Sequence, residues 1–240
     1  MKKTVKYFKN LGVLSKAAAV FIAKFAASEI KKKGYFTMAV SGGDAPVMTY
    51  RLLSKSKMDW KKIFVFWQDD RFVNYDERYS NVKLVFDSMI TPAKIPYNMI
   101  FPVPAPEFAP TPAKAALSYE LIIKRIFSRL QPSSKIPRLD LIIAGVGPDG
   151  HTASLFPGDK KALGEKRRLV INVSAPKTAV VKQRVTMTLP LINGCSTLLY
   201  IISGKGKAAL MKEILKGNKK YPAALTKAKK ETAWFIDREI

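Results

Sequence analysis

The chain has 240 residues, with 42 Lys and Arg against 18 Asp and Glu, one His and one Cys. A lone Cys excludes an internal disulfide, and one Cys with one His excludes the usual zinc centres, which take several such ligands. The net charge of +24 invites a polyanion, but the basic residues lie scattered rather than clustered and lysines outnumber arginines 32 to 10, so a solvated basic surface and no specific nucleic acid are expected.

Met1-Lys2-Lys3 followed by apolar residues loosely mimics a secretory leader. Lys16 and Lys24 interrupt that stretch, where a leader should be uncharged. Leu14, Ala18, Phe21, Ile22 and Phe25 follow helical spacing instead, which predicts an amphipathic helix packed on a core. No apolar run is expected to cross a bilayer, and no membrane partner is expected. With one Cys, a reducing cytoplasm is the natural compartment.

Residues 35–40 read as a strand that enters Ser41-Gly42-Gly43, and Pro46 suits the first turn of a following helix. Residues 63–67 form a second apolar strand, followed by Gln68-Asp69-Asp70-Arg71. Ser80 is a candidate cap for a helix with Val82, Val85, Phe86, Met89 and Ile90 on one face. Residues 92–112 hold seven of the 15 prolines and are expected to be an ordered surface loop rather than a domain linker. A helix over 113–130 leads to a strand at 139–144, which runs into Gly145-Val146-Gly147-Pro148-Asp149-Gly150-His151. Further strands are predicted at 169–173, 184–189, 197–202 and 233–236, with a helix at 205–215. This alternation predicts a three-layer α/β/α fold, residues 1–240 as one domain, with a mainly parallel, Rossmann-like sheet.

Four strand ends and one strand carry candidate chemistry. His151 closes the tightest glycine run, and imidazole exchanges protons near neutral pH; a hydrogen-bonded structural histidine is the plainer alternative. Gly42 and Gly43 let backbone N–H groups approach an anion at a helix N-terminus, although Asp44 puts negative charge beside it and can instead cap the helix. Asp69 with Arg71 can bind a polyol and an anion, or form a structural ion pair. Arg184 sits on the polar side of an alternating strand, and Lys207 ends Ser203-Gly204-Lys205-Gly206-Lys207, which lacks Walker A spacing.

Taken together, these segments resemble the 6-phosphogluconolactonase family. The match runs from Ser41-Gly42-Gly43 through residues 145–157, Gln183-Arg184-Val185-Thr186-Met187-Thr188-Leu189-Pro190 and Gly204-Lys205-Gly206-Lys207-Ala208 to Trp234-Phe235-Ile236-Asp237. The resemblance implies hydrolysis of 6-phosphoglucono-δ-lactone, a step of the oxidative pentose phosphate pathway, with no metal or other cofactor. His151 is then the expected general base, and Gly42 and Gly43 the oxyanion donors. Arg71, Arg184 and Lys207 are the phosphate candidates. Asp69 is expected to hold sugar hydroxyls or orient an arginine, and Asp149 to shape the turn within the substrate site. A monomer is expected. Two positions depart from the family pattern: Asp70 replaces its usual Glu, which questions that carboxylate's reach, and Asp44 replaces a small polar residue. A glucosamine-6-phosphate deaminase is the rival enzyme, but its Phe-Asn-Glu after the histidine turn is Ser154-Leu155-Phe156 here. A non-catalytic polyanion-binding protein is the rival outside enzymes.

Overall fold

Residues 2–134 and 136–240 are described in the computed structural model. In chain order the first elements are β1 (Lys2–Phe8), α1 (Leu11–Lys33), β2 (Phe36–Val40), α2 (Asp44–Ser54), β3 (Ile63–Trp67), β4 (Asp69–Arg71), α3 (Asn81–Val85), α4 (Thr91–Ala93) and β5 (Ile100–Phe101). There follow α5 (Pro112–Leu130), β6 (Leu141–Ala144), α6 (Lys160–Gly164), β7 (Val170–Ser174), β8 (Gln183–Met187) and α7 (Leu189–Gly194). The chain closes with β9 (Thr197–Ile202), α8 (Ala208–Leu215), α9 (Pro222–Leu225) and β10 (Glu231–Asp237).

Seven strands pair in the order β1-β10-β9-β6-β2-β3-β5, every neighbour parallel, with helices flanking the sheet. The central strands β2, β6 and β9 are buried along their whole length, as parallel strands covered on both faces must be. A second sheet, β4-β8-β7, is antiparallel. The strand expected over 184–189 belongs to it and stops at Met187, because Pro190 lies in the first turn of α7 and has no N–H for a ladder.

The sequence gives no sign of β1. It is an edge strand, mostly exposed, and its lysines hide the apolar signal while discouraging edge-to-edge pairing. The helix expected over 205–215 begins only at Ala208; Gly204 and Gly206 take φ of 108° and 83° and keep residues 203–207 a loop. Helix α1 corrects the expectation about apolar runs: by length and composition it is long enough to cross a membrane. It packs against α2 and β10, with Leu14, Ala18, Ile22 and Ala26 buried and Val13 and Val20 exposed. The proline-rich stretch is an ordered loop containing β5, anchored by buried Val103, Ala105 and Ala109 and by a 2.8 Å hydrogen bond from the Tyr75 hydroxyl to the Val103 carbonyl.

Two fully buried tyrosines fix the strand ends that matter for function. From α2, the Tyr50 hydroxyl accepts from the Ser41 N–H (3.0 Å) and donates to the Ser41 carbonyl (2.9 Å). From α5, the Tyr119 hydroxyl does the same to Trp67, at 2.8 Å in both directions. Each hydroxyl satisfies the backbone where the parallel ladder runs out, so β2 and β3 deliver rigid loops to one edge of the sheet.

Candidate active site

The loops after β2, β3, β6 and β9 surround a cavity of about 440 Å³ at the carboxyl edge of the sheet, the place where open α/β folds bind ligands. His151, Gly42, Gly43, Asp69, Arg71, Arg184 and Lys207 all line it; Asp149 does not.

The histidine turn is built by its glycines. The Gly147 N–H donates to the His151 carbonyl (2.9 Å) and the Gly150 N–H to the Gly147 carbonyl (3.0 Å). Gly150 has φ of 85°, and a Cβ there would lie 2.4 Å from the Tyr221 ring. A Cβ on Gly147 would stand 2.0 Å from His151 Cε1, so only glycine leaves room for the imidazole. Asp149 lies behind the ring: its Oδ1 is 2.5 Å from His151 Nδ1 and accepts the His151 N–H at 3.1 Å. Burial raises the Asp149 carboxyl, but the hydrogen bond and charge of His151 outweigh it and leave the group below its ordinary value. With Nδ1 so engaged, Nε2 is the nitrogen without a protein partner among the described residues. Phe156 packs 4.9 Å from the imidazole, ring centre to ring centre.

The opposite wall comes from β4 and the start of α3. Asp70 is buried, and despite its short side chain it accepts from the N–H groups of Arg71 (2.7 Å), Asn81 (2.8 Å) and Val82 (3.0 Å). One methylene fewer than Glu therefore still reaches the helix start. Burial pushes this carboxyl up to about 7, against the pull of those N–H groups. Asp69 turns the other way, and its Oδ2 accepts from the Ser154 hydroxyl at 2.6 Å. No ion pair joins Asp69 to an arginine within 4.0 Å among the described residues.

Arg71 and Arg184 face each other across the β4–β8 ladder. Like charges at facing positions repel, and neither has a carboxylate within 4.0 Å among the described residues. Their hydrogen bonds go to carbonyls: Arg71 Nη1 to Tyr79 (2.6 Å) and Arg184 Nε to Val181 (3.0 Å). Burial, then the charge of Arg71, lowers the Arg184 guanidinium from its usual value. The Asp69 and Asp70 carboxylates oppose that lowering from outside ion-pair range, so two half-buried guanidiniums concentrate positive charge on this wall. Lys207, on the loop after β9, donates from Nζ to the Val146 carbonyl at 2.9 Å and is lowered by burial, with Asp44 opposing. Asp44 is not the helix cap. Gly43, with φ of 88°, holds that position without a side-chain bond, and Asp44 is the exposed first residue of α2.

Of the other lining residues, Ser41, Ala153 and Ser203 lie in stretches quoted above without a role of their own, whereas Asn81 carries no sequence signal at all. Ala153 holds a left-handed φ of 50°, uncommon outside glycine, and Ser203 is tied to buried Asp237 at 2.9 Å. Asn81 packs on Gly42 so closely that a Cβ there would lie 1.8 Å from its Oδ1. Gly42→Ala is therefore expected to cost about 1–3 kcal/mol by overpacking, read from urea melts. In the Gly42→Ala/Asn81→Ala double variant the cost should fall well below the sum of the two single losses; additive losses would show that the contact does not matter.

The family model for glucosamine-6-phosphate isomerases/6-phosphogluconolactonase matches residues 10–234. The chain is 38% identical over 234 residues to a probable 6-phosphogluconolactonase 4 of Arabidopsis thaliana, covering 94% of this chain and 88% of that one. It is 30% identical over 240 residues to a 6-phosphogluconolactonase of Nostoc, covering 99% and 96%. The crystal structure of 6-phosphogluconolactonase from Thermotoga maritima superposes with a TM-score of 0.84 at 28% identity, over 99% of this chain and all of that one.

Proposed function

Because the chain belongs to the glucosamine-6-phosphate isomerase/6-phosphogluconolactonase family, we propose that its cavity hydrolyses 6-phosphogluconolactone to 6-phosphogluconate with His151 as the base. It is a lactone-hydrolysing enzyme. The observation that carries the mechanism is the Asp149–His151 pair at 2.5 Å on the cavity edge, with Nε2 left over for a proton.

A lactone is an activated ester, so the enzyme needs a positioned base, a place for the developing oxyanion and a grip on the distant phosphate. As water attacks C1, His151 Nε2 takes its proton, and Asp149 steadies the charge that forms on the ring. When the tetrahedral intermediate collapses, the C1–O ring bond breaks and the imidazolium returns that proton to the leaving oxygen. The acid product then ionises to solvent. The N–H groups of Gly42 and Gly43 find no backbone acceptor among the described residues. They lie beside the α2 N-terminus, whose dipole favours negative charge, and are suited to the oxyanion. Asp149 acts through His151 and is a positioning residue rather than a substrate contact.

Arg71 and Arg184 are suited to the phosphate, since a dianion between them relieves their mutual repulsion. Lys207 supplies a further cation, held by its bond to the Val146 carbonyl. Arg184→Met should raise KM by about tenfold or more, the worth of one charge-assisted hydrogen bond, with kcat little changed. Initial rates across lactone concentrations check this, and an unchanged KM would remove Arg184 from the phosphate site.

The activity is tested by generating the lactone with glucose-6-phosphate dehydrogenase and following its disappearance with and without the protein. Consumption well above the spontaneous rate is expected. Equal rates would overturn the assignment.

A further inference from the structure

The geometry points to Asn81 as a substrate-reading residue: its side-chain oxygen accepts a hydrogen bond from a hydroxyl of the lactone ring. Asn81 is 2% exposed and lines the cavity. Its amide cannot turn freely, because Nδ2 donates to the Asp69 carbonyl at 3.1 Å and so fixes which end is nitrogen. Its backbone is equally committed: the N–H donates to Asp70 (2.8 Å) and the carbonyl accepts from Trp67 Nε1 (3.2 Å). Oδ1 is left buried and without a partner among the described residues.

A buried oxygen with no donor costs about 1–3 kcal/mol, so such an atom at a ligand cavity calls for a donor carried by the ligand. A fully ionised phosphate, a carboxylate and a lactone carbonyl carry only acceptors. Among the groups of a phosphorylated sugar lactone, only hydroxyls can donate to an amide oxygen. A second orphan stands on the same cavity: Ser41 Oγ is buried, lines it and also lacks a partner among the described residues. Ser41 precedes Gly42, against which the Asn81 amide is pressed. The two atoms make a polar wall that discriminates sugars by their hydroxyls, apart from the cations that hold the phosphate.

This rests on the lactonase reading of the same cavity, and the test separates the two. The parent 6-phosphogluconolactone and its monodeoxy analogues are compared by kcat/KM on the wild type and on Asn81→Ala. On the wild type, one deoxy analogue should be roughly tenfold poorer than the parent, the worth of one neutral hydrogen bond. Asn81→Ala should lose that discrimination, turning over parent and analogue within about twofold of each other. A purely structural Asn81 would lower all substrates together and leave the ratio intact, which overturns the inference while parent turnover upholds the lactonase reading. No parent turnover by the wild type would overturn both. Should the variant not fold, a crystal of the wild type with 6-phosphogluconate decides: a hydroxyl within hydrogen-bond distance of Oδ1 supports the inference, and a water there instead overturns it.

Discussion

Replacing His151 by alanine should lower kcat for 6-phosphogluconolactone by about 10²–10⁴-fold, the usual worth of a positioned general base, while 6-phosphogluconate still binds. The size of the loss follows from the chain's composition as well as its geometry. There is no second histidine, and among the described residues Asp149, the carboxylate on the imidazole, does not line the cavity. Asp69 does line it, but its Oδ2 is engaged by Ser154. Asp44 lines it as well, at the exposed start of α2 rather than on the histidine turn, so no remaining carboxylate occupies the place of the imidazole. Lactone consumption corrected for spontaneous hydrolysis gives kcat, and calorimetry with 6-phosphogluconate gives the binding. Activity near that of the wild type would remove His151 from the chemistry.

A comparable loss is expected from Gly147→Ala, at a residue that carries no functional group. The added methyl would lie 2.0 Å from Cε1, 2.2 Å from Nδ1 and 2.7 Å from Nε2 of His151. No imidazole can stay at those distances, so the ring must swing off Asp149 and away from the substrate. Displacement of about 1 Å from a reacting geometry can cost a hundredfold. Stability should change little, because the His151 side chain is 30% exposed and has room to leave. The comparison is kcat against the melting temperature. Wild-type turnover by the Gly147→Ala variant would mean that the ring position seen here is not the working one.

Much of this is legible because buried parallel strands are apolar throughout and end abruptly. Residues 63–67 and 197–202 read as strands with the bounds the structure shows, and cavity-lining residues follow such ends: Asp69 after β3, His151 after β6, Lys207 after β9. What escapes lacks that signal. The polar edge strand β1 has no buried face to mark it. The antiparallel sheet is built from short pieces whose pairing joins residues over a hundred positions apart, so the facing of Arg71 and Arg184 cannot be read locally. Asn81 looks like part of a helix start after the Ser80 cap, a position where polar residues are common. Only the closeness of Gly42 and the unpartnered oxygen reveal it. Conversely, the short Asp70 raises a question of reach that three backbone N–H contacts answer.

A chain with one histidine offers an unusually direct measurement. Its single imidazole gives a single set of ring resonances, whose titration can be followed by NMR without assignment. The pH dependence of kcat/KM reports the essential base of the free enzyme. The two curves should coincide, with activity falling on the acid side as the ring gains its proton. A kcat/KM that stays level while the imidazole titrates would contradict His151 as the base.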